Sequence, residues 1–366
     1  MRGRLGMRKL LMSRFGRCCG DAVLGVSSAV WLATQTRHND AMRPPVPSIN
    51  GILAVSASLS ATVGRMKASV FAVLCGLSCL HWSHCQASSL RYCDQQAELS
   101  ASQQDTLFRF ADIIKTELAT SGHRVALIAR SGLDLNWLGA RYSHAGISLQ
   151  ASPNGAWSVR QLYYACDEKK PRIFDQGMSG FLLGTDNPSV GYVSVVLLPT
   201  TEAASLERTA LDNRYALSLL GATYSANAYA FSARYQNCNQ WLLEMLAVAW
   251  GDLADVDDLR LESQQWLRGK NYLPTAFEIG FGPLMWLTNF IPWLHNDDHP
   301  EADINNKIYR VSMPASIESF VRQKVPGATR VEFCHADGRV VIRRGWQQIA
   351  EGCKPEESDS VFRLEP

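Results

Sequence analysis

Apolar residues recur at helical spacing in one long segment that precedes residue 122. The pattern predicts a helix over residues 100–121, with Ser100 and Gln103 spaced as a capping box and Gly122 as the stop. Four apolar side chains would share one face of this helix: Leu107, Phe110, Ile114 and Leu118. The first element of the fold is therefore expected to pack one side against a core.

Shorter segments alternate between apolar and small or polar residues, which is typical of strands. One such strand begins at Val125, and another covers residues 191–198. The runs 138–149 and 157–165 flank the turn sequence Ser-Pro-Asn-Gly at 152–155 and predict a hairpin.

Helical patterns follow the strands along the chain. They predict helices over residues 202–220, from about Cys238 to Gly251, and over residues 256–267. Strands packed against separate helices make an α+β core over residues 88–265.

The remaining residues, 266–366, read as a C-terminal extension packed on that core. A helix over residues 314–324 and a hairpin with strands 331–335 and 339–343, turned at Asp337-Gly338, are predicted there. Residues 279–294 are rich in aromatic side chains and favour a segment packed over the core. The alternative is peripheral contact with lipid or a partner through Phe281, Trp286, Phe290 and Trp293.

The first part of the chain has the features of a leader. Lys67, an uncharged stretch over residues 68–80 and small residues up to Ala87 predict a secretory signal peptide over residues 66–87. Residues 1–65 are then a non-native or disordered extension. Cleavage near Ala87 would place the protein in the periplasm or outside the cell, and no later apolar run is long enough to predict a transmembrane segment.

The charge and the cysteine content of the exported part limit the functions that it can have. From residue 88 onward the chain has 26 basic and 32 acidic residues, which argues against nucleic acid as a partner. Five cysteines remain, so an oxidising compartment leaves one thiol unpaired. If that thiol is Cys238, the other four can pair in three ways, and the shortest loops join Cys93 to Cys166 and Cys334 to Cys353.

Cys238 is the best nucleophile candidate because it stands where a turn-forming sequence gives way to an apolar helix. Unpaired N–H groups at a helix start are expected to lower the pKa of a thiol. His144 in a short strand can accept its proton. Gln161 on the next strand can hold the imidazole, unless a one-residue slip in register substitutes Arg160.

Two motifs resemble those of NlpC-like papain-fold proteins. Ser-His-Ala-Gly-Ile at 143–147 is similar to the histidine strand of that superfamily, and Asn-Cys-Asn-Gln-Trp-Leu at 237–242 is similar to its nucleophile helix. The order of His before Cys resembles the circularly permuted branch, which includes lecithin retinol acyltransferase-like proteins and uncharacterised bacterial families.

The resemblance implies a permuted papain-like core, in which an antiparallel sheet packs on the nucleophile helix. It places Gln161 at the third catalytic position, where many members have histidine. It also implies oxyanion or pocket residues among Tyr224, Tyr235 and Asn237.

Three functions stay open at this point. The first is a secreted cysteine hydrolase that cleaves a peptide-like or cell-wall amide through a thioester. The second is a thiol acyltransferase or lipid esterase with an acyl substrate, and the third is a binding module without catalysis. None of them requires a cofactor. His295 and His299 lie in a proline-flanked loop that is predicted to be solvated, so no metal site is expected.

Overall fold

The computed structural model describes residues 99–253, 257–280, 285, 286, 288 and 290–364. All of them lie in the unit formed by residues 88–366. The predicted extension and signal peptide, together with Cys93 and Phe281, lie outside the described residues.

Helices and strands of the described residues form a mixed α+β structure. Helices are α1 (Ala101–Thr120), α2 (Met178–Leu182), α3 (Thr200–Leu211), α4 (Asn213–Ser218), α5 (Cys238–Gly251), α6 (Leu259–Gly269), α7 (Glu301–Asn305) and α8 (Pro314–Lys324). Strands are β1 (Val125–Arg130), β2 (His144–Leu149), β3 (Ser158–Ala165), β4 (Lys170–Gln176), β5 (Val190–Leu197), β6 (Thr275–Glu278), β7 (Ile308–Val311), β8 (Thr329–Ala336), β9 (Arg339–Arg344) and β10 (Ser360–Arg363). None of the helices among the described residues has the length and hydropathy needed to cross a bilayer.

One antiparallel sheet organises the described part of the chain. Its eight strands follow the order β10-β9-β8-β5-β1-β2-β3-β4, while β6 and β7 form a separate two-stranded sheet. The C-terminal hairpin β8–β9 joins the main sheet because β8 pairs with β5 from Val190↔Ala336 to Leu197↔Thr329. The hairpin that sequence patterning places in an extension therefore continues the sheet of the core.

The two faces of the sheet bury separate apolar clusters. On one face, Leu127 and Ile147 of the sheet pack with Trp241 of α5. On the other face, Ile128 and Val159 pack with Phe110 of α1. Burial on both faces explains why β1 and β2 consist of buried residues throughout.

Helix α5 begins at Cys238 because Asn237 caps it. The Asn237 side-chain oxygen accepts the Gln240 N–H at 2.8 Å. Apolar side chains surround the helix, and its residues from Cys238 to Ala249 are buried. A helix that is apolar on all sides belongs in the interior.

A buried ion pair fixes the loop that leads into α5. Glu244 is fully buried and accepts from Arg260 Nε at 2.9 Å and from Gln236 Nε2 at 2.7 Å. Arg260 also donates to the carbonyl oxygens of Ala233 at 2.6 Å and Tyr235 at 3.0 Å. The position of Cys238 therefore depends on a polar network beneath it.

Two segments differ from the sequence-based expectation. The helix expected over residues 202–220 is broken at Asp212, whose backbone is extended and whose carboxylate caps α4 by accepting the Arg214 N–H. The run 138–143 is not part of the hairpin strand. A short 3-10 helix at Asn136–Leu138 ends at the first residue of this run, and β2 begins only at His144.

Candidate active site

Cys238 is a free, buried cysteine at the first residue of α5. Its side chain is 6% exposed. Backbone N–H groups of Asn239 in α5 and Ala145 in β2 donate to its sulfur. The sulfur thus lies against the end of β2, beside the peptide bond that follows His144.

The pKa of the Cys238 thiol differs from the expectation for a helix start. Burial raises it to about 11, although the amides of Asn239 and Ala145 and the charge of Arg130 act to lower it. Desolvation outweighs these groups because so little of the side chain reaches solvent. The resting cysteine is therefore a neutral thiol at physiological pH.

His144 and Gln161 are brought together by the pairing of β2 with β3. His144 Nε2 lies 2.6 Å from Gln161 Oε1, while Gln161 Nε2 donates to Gln176 Oε1 of β4 at 2.6 Å. The second bond orients the amide so that its oxygen faces the imidazole. Since that oxygen only accepts, Nε2 carries the proton of the neutral ring, and the lone pair belongs to Nδ1.

The close approach of these strands requires the glycine of the histidine motif. A Cβ placed on Gly146 would lie 2.6 Å from Val159 Cγ1 and 2.8 Å from the Arg160 carbonyl oxygen. A larger residue would push β2 away from β3 and separate His144 from Gln161.

The imidazole of His144 is buried and uncharged. Its ring stacks on Tyr163 with centroids 4.5 Å apart. Burial, the positive charge of Arg130 and the weaker opposing effect of Gln161 set its pKa at about 3. A neutral imidazole is the form that can accept a proton, but a pKa of about 3 makes this one a weak base in the resting protein.

The Cys238 thiol and the His144 imidazole lie on opposite sides of strand β2. Ala145 and Ile147 belong to the α5 side, whereas the His144 ring lies near Tyr163 and Phe181 on the α1 side. Among the described residues, no hydrogen bond joins the Cys238 sulfur to either ring nitrogen. Because both residues are near the end of the sheet, both reach one cavity.

This cavity has a volume of about 270 Å³ and is mostly apolar. Polar side chains contribute the smaller part of the lining surface, and they include His144, Asn237, Asn239 and Arg130. The apolar part of the wall is formed by residues that include Leu133, Leu135, Trp137, Leu138, Phe277, Ile279, Ile291, Leu294, Val311 and Met313. A few polar groups in an apolar concavity are typical of small-molecule sites.

The other sequence-predicted pocket residues are divided by the structure. Tyr224 and Asn237 line the cavity. Tyr235 is absent from its wall and instead stacks on His295 with ring centroids 4.0 Å apart. Arg160, the alternative to Gln161, pairs with Asp175 at 2.6 Å and does not meet His144.

The remaining predictions concern cysteines and aromatic residues. Cys334 is bonded to Cys353, with Cα atoms 5.6 Å apart, and Cys166 is also in a disulfide. Trp286 and Phe290 are 60% and 66% exposed. Trp293 is half-buried and packs against the core.

The loop over residues 295–299 is only partly solvated. His299 is buried, and its Nε2 lies 2.7 Å from the Asn227 carbonyl oxygen, so the prediction of a solvated loop is wrong for this residue. Within the described ranges, no group of three or more His, Cys, Asp or Glu side chains could hold a metal ion.

Comparison with known proteins identifies a family to which this chain belongs. A family model described as "Uncharacterized protein conserved in bacteria (DUF2145)" matches residues 117–321. The chain belongs to the DUF2145 family. The matched DUF2145 range contains Arg130, His144, Gln161 and Cys238. A search of curated proteins and a search of solved structures each found no match.

Acid is expected to destabilise the protein through two buried histidines. Burial lowers the pKa of His144 to about 3 and that of His335 to about 4. The unfolded chain, with an ordinary histidine pKa near 6.5, binds protons first as pH falls, so stability present above pH 6.5 is lost below it. Each histidine should cost about 2 kcal/mol of unfolding free energy between pH 7 and pH 5.

Denaturant unfolding at a series of pH values checks this expectation. His144→Gln and His335→Leu should each reduce the loss of unfolding free energy between pH 7 and pH 5 by about 2 kcal/mol. An unchanged pH dependence in both variants would show that neither histidine is buried in its neutral form.

Proposed function

We propose that this protein is an exported cysteine hydrolase that cleaves an amide or ester through a thioester at Cys238. The observation that carries the proposal is the convergence on one cavity of a free thiol at a helix start and an imidazole whose tautomer is fixed by Gln161. A papain-like core of the circularly permuted type is part of this proposal. The large antiparallel sheet with α5 packed on it is compatible with such a core.

Export is supported by disulfide chemistry. Cys334 and Cys353 are joined, and disulfides are rare in reducing compartments. The periplasm or the exterior of the cell is therefore the proposed location.

Catalysis would begin from a neutral thiol and a neutral imidazole. As Sγ attacks the substrate carbonyl carbon, the thiol proton passes to Nδ1 of His144 and the carbonyl oxygen becomes an oxyanion. Backbone N–H groups at the start of α5, which contact the sulfur in the resting protein, would stabilise that oxyanion. The imidazolium then gives its proton to the leaving group, and water releases the acid from the thioester.

The proton transfer requires a closer contact than the resting structure has. The imidazole must approach the sulfur, or one water molecule must bridge them, when substrate fills the cavity. The pairing of His144 with Gln161 keeps the proton on Nε2 during this step, so Nδ1 remains the acceptor.

Hydrolysis of octanoyl p-nitroanilide and octanoyl p-nitrophenyl ester tests the proposal. Turnover by the full chain should disappear in Cys238→Ala, because no other free thiol is found among the described residues. The control is the double variant Cys334→Ser/Cys353→Ser, which removes the buried disulfide without leaving a free thiol and changes no residue of the cavity wall. Equal turnover by Cys238→Ala and the unmodified protein would exclude the thioester route.

The apolar wall of the cavity favours an acyltransferase or lipid esterase as a second candidate. An apolar acyl chain fits this wall better than a polar cell-wall peptide does. The exposed Trp286 and Phe290 are near wall residues Thr288 and Ile291 in the sequence and could contact a lipid surface. This candidate predicts flotation with phospholipid vesicles and its loss in Trp286→Ser, and a protein that stays in solution contradicts it.

A binding module without catalysis is the third candidate. The raised pKa of Cys238 and the lack of a bond from its sulfur to the imidazole favour it. It predicts no turnover of either octanoyl compound and no thioester on Cys238.

A further inference from the structure

A buried guanidinium lies in the cavity wall beside the thiol and the imidazole. Arg130, the last residue of β1, is 4% exposed and is the Cα partner of His144 in the β1–β2 pairing. Its guanidinium donates to the Gly184 carbonyl oxygen and to the Tyr163 hydroxyl. Gly132 and Gly184 flank it so closely that a Cβ on either would clash with the guanidinium. The Arg130 side chain is therefore closely packed by the backbone around it.

Arg130 lacks a carboxylate partner among the described residues, and this separates it from the other buried arginines. Each of the other four buried arginines forms an ion pair: Arg160 with Asp175, Arg260 with Glu244, Arg330 with Glu332, and Arg343 with Asp359. A buried charge without a counter-charge is costly. An anionic group of a bound ligand would remove that cost.

The position of the Arg130 guanidinium indicates which part of a ligand would carry the negative charge. Arg130 lies in the same wall as Cys238 and His144, and its charge acts on both of them. Most of the remaining wall is apolar. A complementary ligand has one anionic end near the reacting groups and an apolar body.

The size of the cavity bounds the ligand. Its volume of about 270 Å³ is roughly twice that of an engineered cavity of about 150 Å³ that holds benzene. A ligand with about ten non-hydrogen atoms matches this volume.

We propose that Arg130 is a carboxylate-binding residue and that the cavity takes a monocarboxylate with an apolar body. The proposal deepens the hydrolase assignment, because it names the substrate class, but the binding itself does not use the thiol. The carboxylate can belong to the acid that hydrolysis releases, or to a substrate in which it lies next to the scissile amide.

Calorimetric titration of the full chain carrying Cys238→Ala tests this proposal. Octanoate represents the released acid, N-butyrylglycine represents an amide with an adjacent carboxylate, and octanamide is the uncharged match. At least one of the two carboxylates should bind about tenfold or more tightly than octanamide, since hydrogen bonds to charged groups are the stronger ones. The tighter of the two identifies the source of the carboxylate.

The Arg130→Gln substitution should remove the preference for carboxylate over octanamide, and Arg130→Lys should retain part of it. The ratio of affinities within one variant separates recognition from a general loss of structure, which would weaken all three compounds together. If Arg130→Gln does not fold, a reduced ratio in Arg130→Lys gives the same information. Equal binding of the three compounds by the Cys238→Ala protein, binding of none, or a preference that is undiminished in Arg130→Gln would overturn the proposal. Where Arg130→Gln does not fold, an undiminished preference in Arg130→Lys would overturn it.

The two proposals fail separately. Carboxylate preference without any thioester on Cys238 would leave a carboxylate-binding protein and remove the hydrolase. A thioester on Cys238 with no carboxylate preference would keep the hydrolase and remove the role of Arg130.

Discussion

The variant His144→Ala is expected to hydrolyse octanoyl p-nitrophenyl ester about 10²- to 10⁴-fold more slowly than the unmodified protein. The Cys238 thiol has a pKa of about 11, so almost none of it is thiolate at neutral pH. Attack therefore depends on a base that takes the proton as the sulfur–carbon bond forms. His144, neutral and with Nδ1 free of the Gln161 contact, is the base that the cavity offers.

The matched control is His335→Ala, which removes another buried imidazole from the same sheet. His335 lies in β8 near Phe110, on the α1 side, and does not line the cavity. Both variants should lose stability, but only His144→Ala should lose hydrolysis. The rate is measured with stopped flow below the unfolding transition of each variant. Equal rates in the two variants would assign the loss to destabilisation and remove His144 from the mechanism.

The variant Glu244→Ala is expected to lower the free energy of unfolding by about 3–5 kcal/mol. It leaves the guanidinium of Arg260 buried without its carboxylate and frees the Gln236 and Gln264 amides, which donate to Glu244 at 2.7 and 2.9 Å. Because the same network holds the loop before α5, hydrolysis should also fall at temperatures where the variant is folded.

Denaturant unfolding measures this change. Asp105→Ala removes an exposed pair with Arg109 on α1, at 2.8 Å, and should leave unfolding nearly unchanged. Glu244→Gln retains hydrogen-bonding capacity without the charge and should fall between the two. If Glu244→Ala unfolds at the same denaturant concentration as Asp105→Ala, the network contributes nothing to the stability of the α5 region.

The parts of the fold that depend on short-range patterns could be predicted from sequence. Ser100 and Gln103 form the capping box of α1, and α8 spans the predicted residues Pro314–Lys324. Asn237 ends a turn and caps α5, so the start of α5 could be predicted from residue types. The contact between Gln161 and His144 could be predicted from the alternation of side chains on two neighbouring strands.

The parts that depend on tertiary packing could not be predicted in this way. Strand β4 carries Lys170 and Pro171 and has no alternating pattern, because it is an edge strand paired only with β3. The role of Arg130 could not be predicted because its hydrogen-bond partners, Gly184 and Tyr163, are distant from it in the sequence. The pKa of Cys238 was misjudged because helix position is a local property, while the desolvation that raises the pKa comes from the whole fold.

The most direct test of the central claim is peptide mapping by mass spectrometry after brief exposure of the folded full chain to octanoyl p-nitrophenyl ester. We expect an octanoyl thioester on Cys238 in the unmodified protein and a greatly slowed appearance of that adduct in His144→Ala. An adduct elsewhere with Cys238 unmodified, or equal acylation of Cys238 with and without the imidazole, would contradict it.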